Sequence, residues 1–199
     1  MLDKVEWKEM PKDKADWLVE YVSPVQGIHT LSKETITAKI TSLPFYDSVT
    51  LLQINDTSLD NKITPFWFLK NADKLYLLDG SSAPIHEVNE TVSIDLTSDN
   101  VGDYTRFFCF FVHGDEGPFF IVEDLHFPAF NSDKMEFPMK MDLKKMCKPL
   151  EYLGKVNKNT YKLSGSILYG NALFLAQFAI TSNGMVEMID DEPLLVDIP

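Results

Sequence analysis

Arginine is almost missing from this chain. Of its eighteen basic residues only Arg106 carries a guanidinium and the rest are lysine, while thirty carboxylates leave a formal charge of −12 over 199 residues. Phosphates and guanine edges are held best by arginine's planar fork, and a broad nucleic-acid surface needs a basic stripe that displaces counterions. One arginine and no such stripe are present, so nucleic acid is not an expected partner. The one local run of positive charge, Lys134, Lys140, Lys144, Lys145 and Lys148, reads as a solvated loop or edge.

Cysteine is scarce as well. Cys109 and Cys147 are too few for a disulfide framework and lack the spacing of a zinc site, which points to a reducing, cytoplasmic location. Nowhere do eighteen apolar residues run together, and the opening MLDKVEWKEMPKDKADW carries acids and no apolar run of signal-peptide length. Neither a membrane span nor export is expected. The strong catalytic signatures HExxH, paired CxxC, GxSxG and GxxxxGKS/T do not occur, and no cofactor or metal is expected. Two short glycine-serine pieces, at 79–82 and 164–166, lack the strand-glycine-helix context of a phosphate cradle and read as turns. There is no repeat of 20–50 residues and no low-complexity tract.

What is present is apolar and aromatic. A hydrophobic share of 45% against 24% charged residues marks an ordinary globular chain, and at this length folding buries roughly 70% of the unfolded surface. Residues 1–199 read as a single domain, with a possible subdomain boundary in the proline-, lysine- and methionine-rich connection 128–149.

The hydrophobic period changes along the chain. Asp13 can cap a helix over 13–22, with Ala15, Leu18, Val19 and Val22 at helical spacing and Pro24 behind it. From Thr35 the period becomes two, with Ile36, Ala38 and Ile40 on one face. Further strands are expected at 48–54, 64–70, 74–78, 85–89 and 91–96, arranged as an antiparallel meander. A second helix spans 99–112, where Val101, Tyr104, Phe108 and Phe111 form a stripe, Thr97, Ser98 or Asp99 supplies the cap, and Gly114 ends it. The turn HGDEGP then leads into a buried strand at FFIVE. One helical turn near 143–147 and strands at 150–156, 160–168, 172–181, 185–190 and 194–198 complete the reading. Asn183-Gly184 suits a two-residue hairpin loop that sets Phe178 opposite Ile189. The fold class is therefore α+β and strand-dominated, with nine or ten short antiparallel strands and two helices.

Chemistry-bearing residues concentrate between Asp99 and Phe127, which holds seven of the fourteen phenylalanines. His113, Asp115 and Glu116 in the turn, with Glu123, Asp124 and His126 beyond the strand, are candidates for acid–base or metal work if they share one mouth. A five-residue strand of ~17 Å separates the two groups, and helix-end and turn chemistry is the better account of them. Arg106, alone on an apolar helix, requires an acid, with Asp103, Glu116 or Glu123 in reach; it is also the chain's candidate anchor for an anion. Cys109 reads as core. His29 and His86 are assigned no role. Phe66, Trp67 and Phe68, with Trp7 and Trp17, read as core by default or else as an exposed recognition patch; because successive strand residues alternate, Trp67 cannot easily share one core with both neighbours and is the candidate recognition residue. The acidic segment 185–199 suits a protected edge strand or a surface for a basic partner.

The leading functional expectation is a non-catalytic protein-interaction or regulatory module whose partner is another protein. The alternatives are a hydrolase-like or metal-assisted enzyme with a site at His113–His126, and a binder of a small apolar ligand in a phenylalanine-lined pocket.

Overall fold

The computed structural model describes residues 5–22, 31–57, 65–124, 127, 130 and 137–198. They form twelve strands and four helices among the described residues, an α+β, strand-dominated architecture of antiparallel sheets. Contacts group the chain into two compact units, Met1–Asp79 and Gly80–Pro199, so the connection 128–149 lies inside the second.

The first unit is the expected meander. Strands β1 (Lys8–Glu9), β2 (Ile36–Ser42), β3 (Val49–Asp56), β4 (Phe66–Asn71) and β5 (Lys74–Leu77) lie in sequence order, and helix α1 (Lys12–Val22) follows β1 in the chain. Period-two alternation sends Ile36, Ala38, Leu52, Ile54 and Phe68 to one face, where they meet the buried stripe Ala15, Leu18, Val19 and Val22 of α1. Each valine, leucine, isoleucine or phenylalanine among them, fully removed from water, stabilises the unit by about 1.5–3 kcal/mol. The helix begins one residue earlier than expected, because the Pro11 carbonyl accepts from Lys14 and Ala15 at 3.0 Å, and Asp13 sits in the first turn, where its charge suits the dipole. Pro24 lies outside the described residues.

The second unit holds helices α2 (Ala83–Thr91), α3 (Val101–Phe111) and α4 (Phe137–Met146). Its strands are β6 (His113–Gly114), β7 (Gly117–Pro118), β8 (Phe120–Ile121), β9 (Glu151–Asn157), β10 (Thr160–Tyr169), β11 (Ala172–Thr181) and β12 (Val186–Leu195). The main sheet runs β12-β11-β10-β8, with β9 also on β10, while β6 and β7 form a small hairpin. Helix α3 is as apolar as its sequence suggests, burying Val101, Tyr104, Phe107, Phe108 and Phe111 among others. It packs on the following strand, with Phe110 and Phe120 ring centroids 6.3 Å apart and the Cys109 carbonyl accepting from Phe119 at 3.0 Å.

Several expectations are corrected. The segments 85–89 and 91–96 are not strands. Ser82 and Pro84 start α2, proline being well placed in a first turn where its missing N–H costs nothing. The connection 128–149 contains α4, a full helix and not a single turn. Strands 185–190 and 194–198 are one, β12, carried past Pro193 because that residue lies on an edge strand. FFIVE contributes only Phe120–Ile121 to the sheet. The piece 164–166 is the middle of β10, not a turn: Gly165 is there because a Cβ would stand 2.8 Å from the Leu150 Cα, and Ser166 Oγ accepts from the Lys148 N–H at 2.8 Å.

Beside its loop the β11–β12 hairpin is one residue out of the expected register, and a bulge between Gln177 and Phe178 restores it at Gln177 opposite Asp190. Phe178 faces Met188 and not Ile189. Thr181 and Met185 bracket a three-residue loop, with Gly184 N–H donating to the Thr181 carbonyl at 2.8 Å and Gly184 at φ +84. A turn followed by one left-handed residue adds a residue to the loop that a two-residue reading omits, and the bulge takes up the slip before it reaches the rest of the strand.

Candidate functional site

Helix α3 and the small hairpin behind it position the residues singled out by the sequence. Arg106 leaves the helix half-buried and donates to the Glu123 carboxylate through Nη2, and to Asp103 Oδ1 at 3.4 Å through Nη1. Two of the three expected acids hold it. The guanidinium thus joins α3 to the end of the β8 segment, and an incoming anion would meet two carboxylates around a single positive charge.

The helix ends differently from expectation. Val112 caps it in an extended conformation, and Gly114 has no left-handed role. What it faces is the Tyr169 hydroxyl, which a Cβ at Gly114 would displace. That hydroxyl accepts from the Glu116 N–H at 3.0 Å, and the Tyr169 ring stacks on Phe119 with centroids 4.4 Å apart. Asp115 and Glu116 form the loop of the β6–β7 hairpin, in which His113 faces Pro118, and Gly117 takes φ +105. The His113 N–H donates to the Gly80 carbonyl at 2.8 Å, and its ring lies over Gly80, where a Cβ would stand 2.9 Å from Nδ1.

His113, Asp115 and Glu116 are all exposed. Glu123 is taken up by Arg106. His126 lies outside the described residues, as do His29 and Lys134. Among the described residues no group of three or more histidine, cysteine, aspartate or glutamate side chains is placed to hold a metal ion. Cys109 is buried in the aromatic interior, and desolvation pushes its thiol up to about 12. Cys147 is half-buried and also raised, by burial first and then by the neighbouring Asp124 charge. No helix among the described residues is long and apolar enough to cross a membrane.

The aromatic residues of the first unit present a different surface. In β4, Phe66 and Phe68 join the core beneath α1, and Trp67 points to the opposite face, as alternation requires. There a register row runs across four strands from Glu9 through Lys39 and Gln53 to Trp67. Trp7 leans over this row, its ring 5.9 Å from that of Trp67 and tilted by 51°, while the Lys39 ammonium lies 4.6 Å from the Trp7 centroid. Thr41 anchors the arm carrying Trp7 by donating to the Glu6 carbonyl at 2.9 Å. Trp7, Lys39, Gln53 and Trp67 are all half-buried, and at the other end of the same face Leu51, Leu69 and Tyr76 are buried. Trp17 does not join them: it stacks on Tyr21, centroids 5.0 Å apart, on the outer side of α1.

Sequence reasoning missed one polar assembly in the second unit. Tyr104 Oη, fully buried, donates to the Gly184 carbonyl at 2.6 Å and accepts from Asn89 Nδ2 at 3.1 Å. It links α2, α3 and the β11–β12 loop. The available signal was Tyr104 itself, a hydroxyl on an otherwise apolar stripe, which when buried needs a partner.

No protein-family model, curated protein or solved structure matches the chain.

Proposed function

We propose that this chain is a non-catalytic, intracellular protein-interaction module whose recognition surface is the Trp7–Trp67 face of the first sheet. The observation that carries the reading is the pair itself. Two tryptophans, brought together by the docking of β1 beside β2 and flanked by Lys39 and Gln53, keep part of their surface open to solvent on a five-stranded sheet. Large aromatic rings with few rotatable bonds lose little entropy on binding, and tryptophan leads the residue types that dominate protein interfaces. The neighbouring ammonium and amide supply the polar contacts that orient a partner. A charge of −12 with one arginine favours a protein over a nucleic acid as that partner, and two free cysteines suit a reducing compartment.

The test is site-specific photo-crosslinking. A benzophenone side chain at Gln53 should capture a protein in cell extract that the same probe at exposed Asp47 does not capture. Trp67→Ala or Trp7→Ala should remove that adduct, since loss of a hot-spot residue costs about 2 kcal/mol or more, a ~30-fold fall in affinity. Identical adducts at both positions, or adducts indifferent to either substitution in a chain that retains its circular dichroism, would refute the proposal.

A further inference from the structure

The main sheet of the second unit ends in two open edges that differ in charge and share an exposed apolar character. Ten large hydrophobic side chains are exposed among the described residues, and seven of them fall at these edges. Tyr152, Leu153 and Val156 belong to β9, while Met185, Met188, Ile189 and Val196 lie on or beside β12. The charges divide by sign. Strand β12 carries Glu187, Asp190, Asp191 and Glu192 with no base, whereas β9 balances Lys155 against Glu151 and is flanked by Lys148 and Lys158. Side chains of β12 from Glu187 to Pro193, and of β9 apart from Gly154, are exposed.

Charged side chains on an edge strand ordinarily prevent edge-to-edge pairing, and they do so by repelling a like edge. That explanation covers β12 against β12 in full, and β9 against β9 only through the flanking Lys148 and Lys158, since Lys155 and Glu151 balance within the strand. It fails for β12 against β9, where the same charges attract and the exposed methionine, isoleucine, leucine and valine side chains can be buried. We infer that the occupant of each edge is a second copy of this chain, the acidic β12 of one copy lying along the lysine-bearing β9 of the next. Such a contact uses two different surfaces, so it propagates head to tail into rings or open chains and does not stop at a symmetric dimer. The net charge of −12 opposes approach at long range, so association is weak and best observed near ~0.1 M salt, where the ~10 Å screening length damps the global repulsion and spares touching pairs.

Sedimentation of the full chain over a concentration series reaching ~1 mM, the weak end of measurable association, tests this. The weight-average mass is expected to rise above 22.7 kDa with concentration and without a plateau at two copies. The reversals Lys155→Glu with Lys158→Glu, and Glu187→Lys with Asp191→Lys and Glu192→Lys, should each abolish the rise alone. Mixed in equal amounts they should restore it, because each edge of one variant then complements the opposite edge of the other. A wild-type chain that stays at 22.7 kDa, variants that associate as the parent does, or a mixture that fails to recover would each overturn the inference. Should a multiple reversal lose its circular dichroism, the single substitution Val156→Glu at an exposed position of β9 must weaken association by itself.

Discussion

Replacing Tyr104 by phenylalanine removes one oxygen from the interior of the second unit and leaves the ring in place. That oxygen donates to the buried Gly184 carbonyl at 2.6 Å and accepts from Asn89 at 3.1 Å. A net hydrogen bond contributes about 1 kcal/mol, and a buried carbonyl left bare costs a further ~1–3 kcal/mol, whereas Asn89 is only partly buried and water can serve its amide. The expected loss is about 2–3 kcal/mol, on the order of 10 °C in melting temperature for a unit of this size. All three tryptophans, Trp7, Trp17 and Trp67, lie in the first unit, so tryptophan fluorescence does not read the affected part. Amide hydrogen exchange in β10 and β11 does. The pH dependence supplies a second reading, because burial raises the Tyr104 hydroxyl above its ordinary value of 10.0. Below pH 10 the phenol is protonated in both states and its contribution is fully present. As pH climbs further the unfolded chain ionises and the folded one does not, so stability falls by up to ~1.4 kcal/mol per pH unit from this group. The phenylalanine variant should lose that share of the alkaline slope. A stability change under ~0.5 kcal/mol would show that the hydroxyl is not a structural tie, and an unchanged alkaline slope would show that it is not desolvated.

Two further outcomes follow from the α3 segment. In a double-mutant cycle, Arg106→Leu should cost more than Glu123→Leu, since it leaves Asp103 and Glu123 facing each other, and the coupling between the two sites should be about 1 kcal/mol by hydrogen exchange of α3; simple additivity would mean the ion pair contributes nothing. Thiol labelling near pH 8 should modify Cys147 first, faster as pH rises toward and past its ordinary 9.0, and Cys109 only when the unit opens, because burial holds that thiol near 12; the reverse order would contradict the packing described for α3.

What could be read in advance depended on how local the deciding physics was. Strands β2 to β5 were legible because alternation at Ile36, Ala38 and Ile40 and turn-rich spacers repeat over a meander whose neighbours are adjacent in sequence. The helical reading of 99–112 succeeded since its apolar stripe is broad enough to be buried on most sides. Helix α2 was misread where isolated β-formers such as Ile85 and Val88 outweighed the Pro84 start signal. For the candidate site, the orientation of Trp67 followed from period two alone, but its pairing with Trp7 required β1 to dock beside β2, thirty residues away in the chain.

Composition and period, then, set the class of the molecule: an acidic, lysine-based surface, an aromatic interior and a strand-rich α+β architecture, all properties that each residue or its immediate neighbours impose. Tertiary structure decided the rest. Which acids meet Arg106, how the β11–β12 register shifts beside its loop, why Gly165 must lack a side chain, and that the acidic β12 and the lysine-flanked β9 end the same sheet are matters of residues far apart in sequence. Their energies exist only once loop closure has brought those residues together, and no local window of the chain contains them.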